Sequence, residues 1–291
     1  MGREAVIETY EEKRARIREF NLTSDLFASK VFEDLAACQE LCRILMQDAG
    51  LRLKAVKTQY VIRNLVGHSV QLDVLAEEIT GDMIGIELQM YSEPAPFRRS
   101  RYYMSCIDVS ILEKGTEYDE LPDVTILYIT KTDFIGGGRG VYQTCRKVKV
   151  RGNSRTAGAG LDNGQHERYY NLKYPTGDKK VNELLNYLED SDPHYRAEHF
   201  PRIVERVNFF KEQKEGVDIM CEIVDRIRRE GKMEGKIEGK IEDVMELLED
   251  LGKVPARIAD RIRQETDLSV LTRWIRCAAS ASSIAEFEAR M

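Results

Sequence analysis

The sequence predicts an α/β fold that is followed by a helical C-terminal region. Apolar residues first recur at helical spacing, and three segments with the alternation of β-strands come next. A further helical pattern then leads into VTILYIT, which is typical of a buried strand. Beyond residue 177 the apolar pattern is again that of helices. The strands are therefore expected to end before that point.

Two helices are predicted ahead of the strands. Residues 1–20 are rich in Arg and Glu, which is typical of a polar helix. The next helix is expected to begin at an N-cap provided by Thr23 or Ser24 and to end at Gly50. Apolar residues repeat along it at helical spacing, so that it presents one face to a core.

Three strand-like segments follow these helices: AVKTQYVIRNL, VQLDVLAEE and MIGIELQM. Residues 80–82, Thr-Gly-Asp, separate the last two segments and are typical of a hairpin turn. The segment PFRRSRYYMSCIDVSILEKG then predicts a helix that precedes VTILYIT. After that strand, the chain alternates glycine-rich loop with a short basic strand.

The C-terminal region contains a charged repeat between helical patterns. Residues 231–242 read GKMEGKIEGKIE, in which a helix would place like charges four residues apart and include three glycines. We interpret this segment as a linker or a marginal helix. The helices after it predict a module that packs or associates, and association of copies into a homo-oligomer is one expectation.

The predicted domain organisation has five parts. They are an N-terminal helix at 1–20, an α/β core at 21–176, a helical extension at 177–230, the GKxE segment at 231–242 and a small helical module at 243–291.

The composition is that of a well-charged globular protein, with 42% hydrophobic and 32% charged residues. No run of residues approaches the apolar length of a membrane span. The N-terminal residues are charged throughout and lack the apolar middle of a signal peptide. We therefore expect a cytoplasmic protein with no membrane partner.

Cysteine spacing and net charge argue against two further classes of protein. The six cysteines are scattered without a CxxC pair, so that buried reduced thiols are expected and a zinc knuckle is disfavoured. The net charge of −6 argues against a protein that coats nucleic acid indiscriminately. A local basic groove remains compatible with it, because patches bind phosphates and totals do not.

Three polar side chains are predicted to meet on one face of the hairpin. Asp73 points opposite to its apolar neighbours, and the turn brings it across from Glu87 and Gln89, which lie two residues apart. Two converging carboxylates repel unless a cation lies between them, and oxygen ligands suit Mg²⁺ or Mn²⁺. The alternative is that Asp73 and Glu87 lie on the wet face of an amphipathic hairpin.

Basic residues occur in two places that suit a phosphate backbone. Arg98 and Arg101 share a face of the helix that follows the hairpin, where they are predicted to look toward the site or toward DNA. Between Arg139 and Arg155 there are six basic residues and no acidic one. Arg99 lies between Arg98 and Arg101, and for it an ordinary solvated helix surface is the alternative. For the segment at 139–155 the alternative is a basic strand edge that faces solvent.

The array VIRNLVGHSVQLDVLAEE, IGIELQM, RRSRYYMSCIDVSILEKGTEYDELPDVTILYIT and GGG resembles the PD-(D/E)XK nuclease family transposases. These are relatives of the bacterial recombination-promoting nucleases. The resemblance begins near Leu22, is strongest from Gln59 to Gly138 and extends to the C-terminal helices. It implies a restriction-endonuclease-like mixed sheet flanked by helices, in the part of the chain at 21–176.

The resemblance also implies a chemistry, which is Mg²⁺-dependent cleavage of DNA with Mn²⁺ as an alternative ion. By position, Asp73 and Glu87 match the acidic metal ligands of the motif, and the carbonyl of Leu88 would complete the metal shell. Gln89 occupies the place of the motif lysine. Glutamine can donate a hydrogen bond to a water but brings no positive charge. The source of the missing charge is therefore an open question.

Further members of the site are expected from the helices and from the basic segment. An acidic residue of the first helix often joins such sites, and Glu40 is the candidate, with Glu33 as its rival and an ordinary exposed helix residue as the alternative. DNA contacts are expected from five basic residues: Arg98, Arg101, Arg146, Lys147 and Lys149.

The sequence thus predicts a Mg²⁺-dependent DNA endonuclease, with a link to transposition or recombination. The alternative hypothesis is a catalytically silent DNA-binding or oligomeric assembly protein that keeps the nuclease fold. The glutamine at position 89 and the negative net charge favour this alternative.

Overall fold

A computed structural model describes the fold of residues 8–63, 67–91, 96–115, 117–146 and 162–291. The chain forms two compact units, Met1–Asp218 and Ile219–Met291. In the described part of the chain, no helix has the length and apolar character that a membrane span requires.

The N-terminal unit begins with α1 (Tyr10–Arg18), α2 (Asp25–Phe32) and α3 (Leu35–Met46). The prediction of one helix from Thr23 or Ser24 to Gly50 was wrong, since two helices occupy this stretch. The break is caused by Asp34, whose carboxylate accepts a hydrogen bond from the Ala37 N–H and caps α3.

The sheet has six strands: β1 (Leu53–Ile62), β2 (Val70–Glu78), β3 (Met83–Gln89), β4 (Val124–Thr130), β5 (Val141–Gln143) and β6 (Gln165–Asn171). Their order is β1-β2-β3-β4-β6-β5. The β3–β4 and β4–β6 pairs are parallel, and the other three pairs are antiparallel. The helix α4 (Pro96–Ile111) connects the parallel strands β3 and β4. The predicted mixed sheet flanked by helices is therefore confirmed.

The central strands carry the core of this unit. Every residue of β4 is buried, as its apolar sequence predicts. The helix α4 packs on the sheet through side chains that include Tyr103, Met104 and Ile107. Strand β6, whose sequence is QHERYYN, was not predicted, because its first half is polar.

Three more helices are α5 (Lys179–Asp190), α6 (Pro201–Glu212) and α7 (Lys214–Glu249), and the GKxE segment lies within α7. They are followed by α8 (Ala256–Gln264), α9 (Leu268–Ser280) and α10 (Ile284–Arg290). The C-terminal unit has a hydrophobic core of its own, in which Trp274 and Phe287 are buried. The helical C-terminal region is therefore confirmed.

Candidate active site

The hairpin of β2 and β3 brings Asp73 and Glu87 together at the point where the two strands separate. The regular antiparallel pairing ends at Val74 and Ile86, one position before the two carboxylates. Beyond that position, side chains replace the backbone carbonyls as acceptors. The Leu88 N–H donates to Oδ2 of Asp73 at 2.9 Å, and the Asp73 N–H donates to Oε1 of Glu87 at 3.4 Å. Each carboxylate thus binds the backbone of the opposite strand.

Glu87 is a buried carboxylate with weak hydrogen bonding. Its side chain lies on β3 opposite Tyr128 of β4, and only 3% of the residue is exposed. Burial raises the pKa of Glu87 well above its usual range, the negative charge of Asp73 raises it further, and the positive charge of Arg99 opposes both effects. Burial likewise raises the pKa of Asp73, against the hydrogen bond from Leu88.

The positive charge near these carboxylates comes from Arg99 in the first turns of α4. Its Nε donates to the Tyr103 hydroxyl at 2.6 Å, one helical turn further along. That contact holds the guanidinium on the side of α4 that faces the site. Arg99 lines the same cleft as Asp73 and Glu87.

The cleft above the carboxylates has a volume of about 810 Å³. Its lining is mostly polar and includes Asp25, Gln59, Gln71, Asp73, Glu87, Gln89, Arg99 and Lys131. The Gln89 side chain donates to the carbonyl of Tyr91 at 3.3 Å, a long hydrogen bond. An open polar cleft that ends on two carboxylates and is flanked by cations suits a phosphate-containing substrate.

The hairpin and the helix α4 lie in a stretch that resembles a known family. Residues 49–153 match the family model of the PD-(D/E)XK nuclease family transposase. The match confirms the resemblance read from the sequence, and the sheet is consistent with a restriction-endonuclease-like fold. No curated protein and no solved structure matches the chain significantly.

The matched part begins just before β1 and ends after β5. It contains the whole hairpin, α4 and β4, and so includes every carboxylate of the D…ExQ pattern. The predicted extension of the resemblance to Leu22 and to the C-terminal helices lies outside the match and stays a prediction.

Asp25 is a third carboxylate that lines the cleft, and it was not predicted from the sequence. It is the first residue of α2, and its charge raises the pKa values of both Asp73 and Glu87. Burial raises the pKa of Asp25 itself. An acidic residue in the first turn of a helix has an ordinary explanation in the helix dipole, which left nothing to mark it out.

Glu40, which the sequence analysis favoured as the helix acid, lies elsewhere and does not line the cleft. Its carboxylate accepts hydrogen bonds from the N–H groups of Arg202 at 3.1 Å and Ile203 at 3.0 Å, at the start of α6. Its rival Glu33 is exposed, forms an ion pair with Lys30 and also stays outside the cleft. The two candidates and Asp25 are thus in three different surroundings.

Three of the five predicted DNA-contacting residues lie in the described part of the chain, and all three are exposed. Arg98 and Arg101 are exposed on α4 and do not line the cleft, which is reached by Arg99 between them. Arg146 is exposed, and its guanidinium donates to the Gln165 side chain at 2.9 Å. Two other predicted residues, Lys147 and Lys149, lie outside the described residues.

The residues at the end of the hairpin can supply some of the ligands of a hard divalent cation, and water would supply the others. Within the described ranges, no three side chains of the His, Cys, Asp and Glu types form a group that could hold a metal. Two carboxylates do converge, and Glu87 is buried beside the like charge of Asp73 without a strong hydrogen-bond donor. A Mg²⁺ ion keeps several waters and needs only one or two carboxylates, so the pair is a sufficient donor set.

Proposed function

We propose that the chain is a divalent-metal-dependent DNA endonuclease of the PD-(D/E)XK type, with Mg²⁺ as the expected ion and Mn²⁺ as its substitute. One observation carries the proposal: the convergence of Asp73 and Glu87 at the base of an open polar cleft, within the stretch that matches the nuclease family. Asp73 and Glu87 would bind the ion, with the carbonyl of Leu88 as a further ligand. When bound, the ion would polarise the phosphodiester and lower the pKa of a coordinated water.

The side chains around the carboxylates support a hydrolytic role. Gln89 follows Glu87 on the same face of β3 and would orient the attacking water by a hydrogen bond. Attack of the water oxygen on phosphorus breaks the bond to one ester oxygen and leaves a phosphate end and a hydroxyl end. Arg99 would offset the negative charge that builds on the phosphate, which the lysine of the motif would otherwise do.

DNA would reach the carboxylates along the cleft. Arg99 and Lys131 line the cleft. The Lys131 ammonium forms a long ion pair with Glu189 at 3.9 Å, and 65% of its side chain is exposed, so that a phosphate could compete for it. Arg98 and Arg101 would contact the backbone further along α4, and Arg146, Lys147 and Lys149 would contact it from the basic segment. A link to transposition or recombination rests on the family description, and association through the C-terminal helices stays a prediction.

Cleavage of supercoiled plasmid DNA tests the proposed function. We expect the purified chain to nick or linearise plasmid with Mg²⁺ or Mn²⁺ and to leave it intact with EDTA. Asp73→Asn should lower the rate by at least about 100-fold, because it removes a metal ligand and keeps the side-chain shape. Asp133→Asn is the matched control, since Asp133 binds the backbone of a glycine-rich loop and does not line the cleft.

The same measurement separates the endonuclease from its alternative. A chain that binds DNA but leaves it uncut with either ion would be the silent DNA-binding protein that Gln89 in the lysine position suggests. Equal cleavage by the wild-type chain and by Asp73→Asn would place the activity elsewhere or in a contaminant.

A further inference from the structure

Gln59 lies in the middle of β1 with its backbone in the left-handed region, at a φ of 48°. The pairing of β1 with β2 keeps the same register on both sides of it, at Thr58 and Tyr60. Gln59 itself forms no regular pair with Asp73, the residue opposite. A residue with a Cβ rarely adopts this conformation, least of all inside a strand.

The other left-handed residues have an ordinary explanation. In the described part of the chain, Gln47 and Ser191 are the only other non-glycine residues with positive φ. They are the C-caps of α3 and α5, where a left-handed residue commonly ends a helix. Gln59 ends no helix and forms no turn. Strain of this kind persists where the surrounding structure enforces it, often at functional sites.

The side-chain amide of Gln59 forms two hydrogen bonds in this strained backbone conformation. Its Nε2 donates to Oδ1 of Asp73 at 3.3 Å, while Oδ2 of Asp73 accepts from the Leu88 N–H. The Gln71 side chain donates to Oε1 of Gln59 and so orients the amide with its N–H group toward Asp73. Each oxygen of the carboxylate is thus bound by one donor. Both glutamines line the cleft, as Asp73 does.

We propose that Gln59 is a positioning residue, whose left-handed backbone directs its amide onto Asp73 and fixes the orientation of that carboxylate. The inference rests on the proposed function, because the group that Gln59 positions is the proposed metal ligand. A metal ligand needs a partner that fixes its orientation, and loss of such a partner typically weakens metal binding or activity 10- to 100-fold. Gln71 has a supporting role, since it holds the Gln59 amide.

Replacement by glycine separates this role from a purely structural one. Gln59→Gly relieves the backbone strain and removes the amide, and Gln47→Gly makes the same change at a position outside the cleft. We expect both variants to fold, with melting temperatures within about 4 °C of the wild type. Only Gln59→Gly should raise the half-saturating Mn²⁺ concentration for plasmid cleavage, by about 10- to 100-fold. The KM for DNA should be unchanged, because Gln59 acts through Asp73.

Gln59→Asn should behave like Gln59→Gly, because asparagine tolerates the left-handed conformation but is one methylene too short to reach Asp73. A wild-type Mn²⁺ dependence in Gln59→Gly would overturn the proposal. So would an equal loss in Gln47→Gly, which would show a general effect on the fold.

A double-mutant cycle in metal-free buffer tests the contact independently of activity. Gln59→Gly, Asp73→Ala and the double variant should give non-additive shifts in the urea midpoint, because the two side chains interact directly. Additive shifts would overturn the proposal. If the wild-type chain leaves DNA uncut, the proposed function fails, and the cycle alone decides whether Gln59 positions Asp73.

Discussion

Glu87 shows that the residues of the site are arranged at a cost to the stability of the metal-free protein. A carboxylate with 3% exposure beside a second carboxylate is expensive to ionise, which is why its pKa is raised well above the usual range. Because the folded protein holds the proton of Glu87 more tightly than the unfolded chain does, the raised pKa favours folding only at a pH where Glu87 is protonated. That contribution is therefore lost as the pH rises from about the usual value through the raised pKa.

Glu87→Gln is consequently expected to stabilise the metal-free protein and to abolish cleavage. At neutral pH it removes the cost of either protonating this carboxylate or burying its charge beside Asp73, for a gain in unfolding free energy of about 1–3 kcal/mol. Urea denaturation at several pH values measures this gain, which should shrink toward zero below pH 4. A gain that stays constant with pH would contradict the raised pKa of Glu87.

Arg99 is the cation that we propose in place of the motif lysine. Arg99→Met should lower kcat by about 100-fold, because the cation facing Glu87 and the cleft is lost. Arg101→Met, an exposed position on the same helix, should raise the KM for DNA and leave kcat unchanged. Steady-state kinetics on a labelled duplex gives both constants. Equal effects of the two variants on kcat would show that Arg99 has no specific role in the chemical step.

The helices around the sheet show that Glu40 has a structural role as a helix cap. The helix α6 begins with Pro201 after Phe200, which has no side-chain oxygen to cap the helix. Glu40 of α3 supplies that oxygen to the N–H groups of Arg202 and Ile203, the second and third residues of α6. Glu40 thus joins two helices, and a residue distant in the chain performs the capping.

Glu40→Ala is expected to destabilise the fold by about 1–2 kcal/mol, the usual effect of losing a cap, without changing kcat. Glu40→Gln, which keeps an acceptor oxygen, should recover much of that loss. Thermal denaturation and plasmid cleavage measure the two effects side by side. Loss of cleavage in a fully stable Glu40→Gln protein would instead return Glu40 to the active site, as the sequence analysis expected.

These elements also show which features of the fold and of the site could be predicted from the sequence. The strands β2 and β3 and the meeting of Asp73 with Glu87 follow from alternation and a short turn, which are local signals. Asp25 could not be placed in the cleft in this way, because its position depends on how α2 packs against the sheet. The polar strand β6 was missed for a similar reason, since it is held by neighbours on both sides and not by its own pattern.

At the scale of the whole molecule, the chain divides into a unit that contains the cleft and a helical unit with its own core. Leu271→Ala, in the second core, should lower the stability of that unit by about 2–5 kcal/mol and leave cleavage unchanged. Trp274 is the only tryptophan of the chain and is buried there, so its fluorescence follows this unfolding directly. Loss of cleavage in parallel with the fluorescence change would show that activity depends on the C-terminal unit.

The central claim is that Asp73 and Glu87 together hold the catalytic cation. Anomalous diffraction from a crystal of the wild-type chain soaked in Mn²⁺ tests it most directly. We expect an anomalous peak in direct contact with a carboxylate oxygen of Asp73 and one of Glu87, and no such peak in a crystal of Asp73→Asn. A peak bound at other residues, or a cleft without Mn²⁺ at saturating concentration, would contradict it.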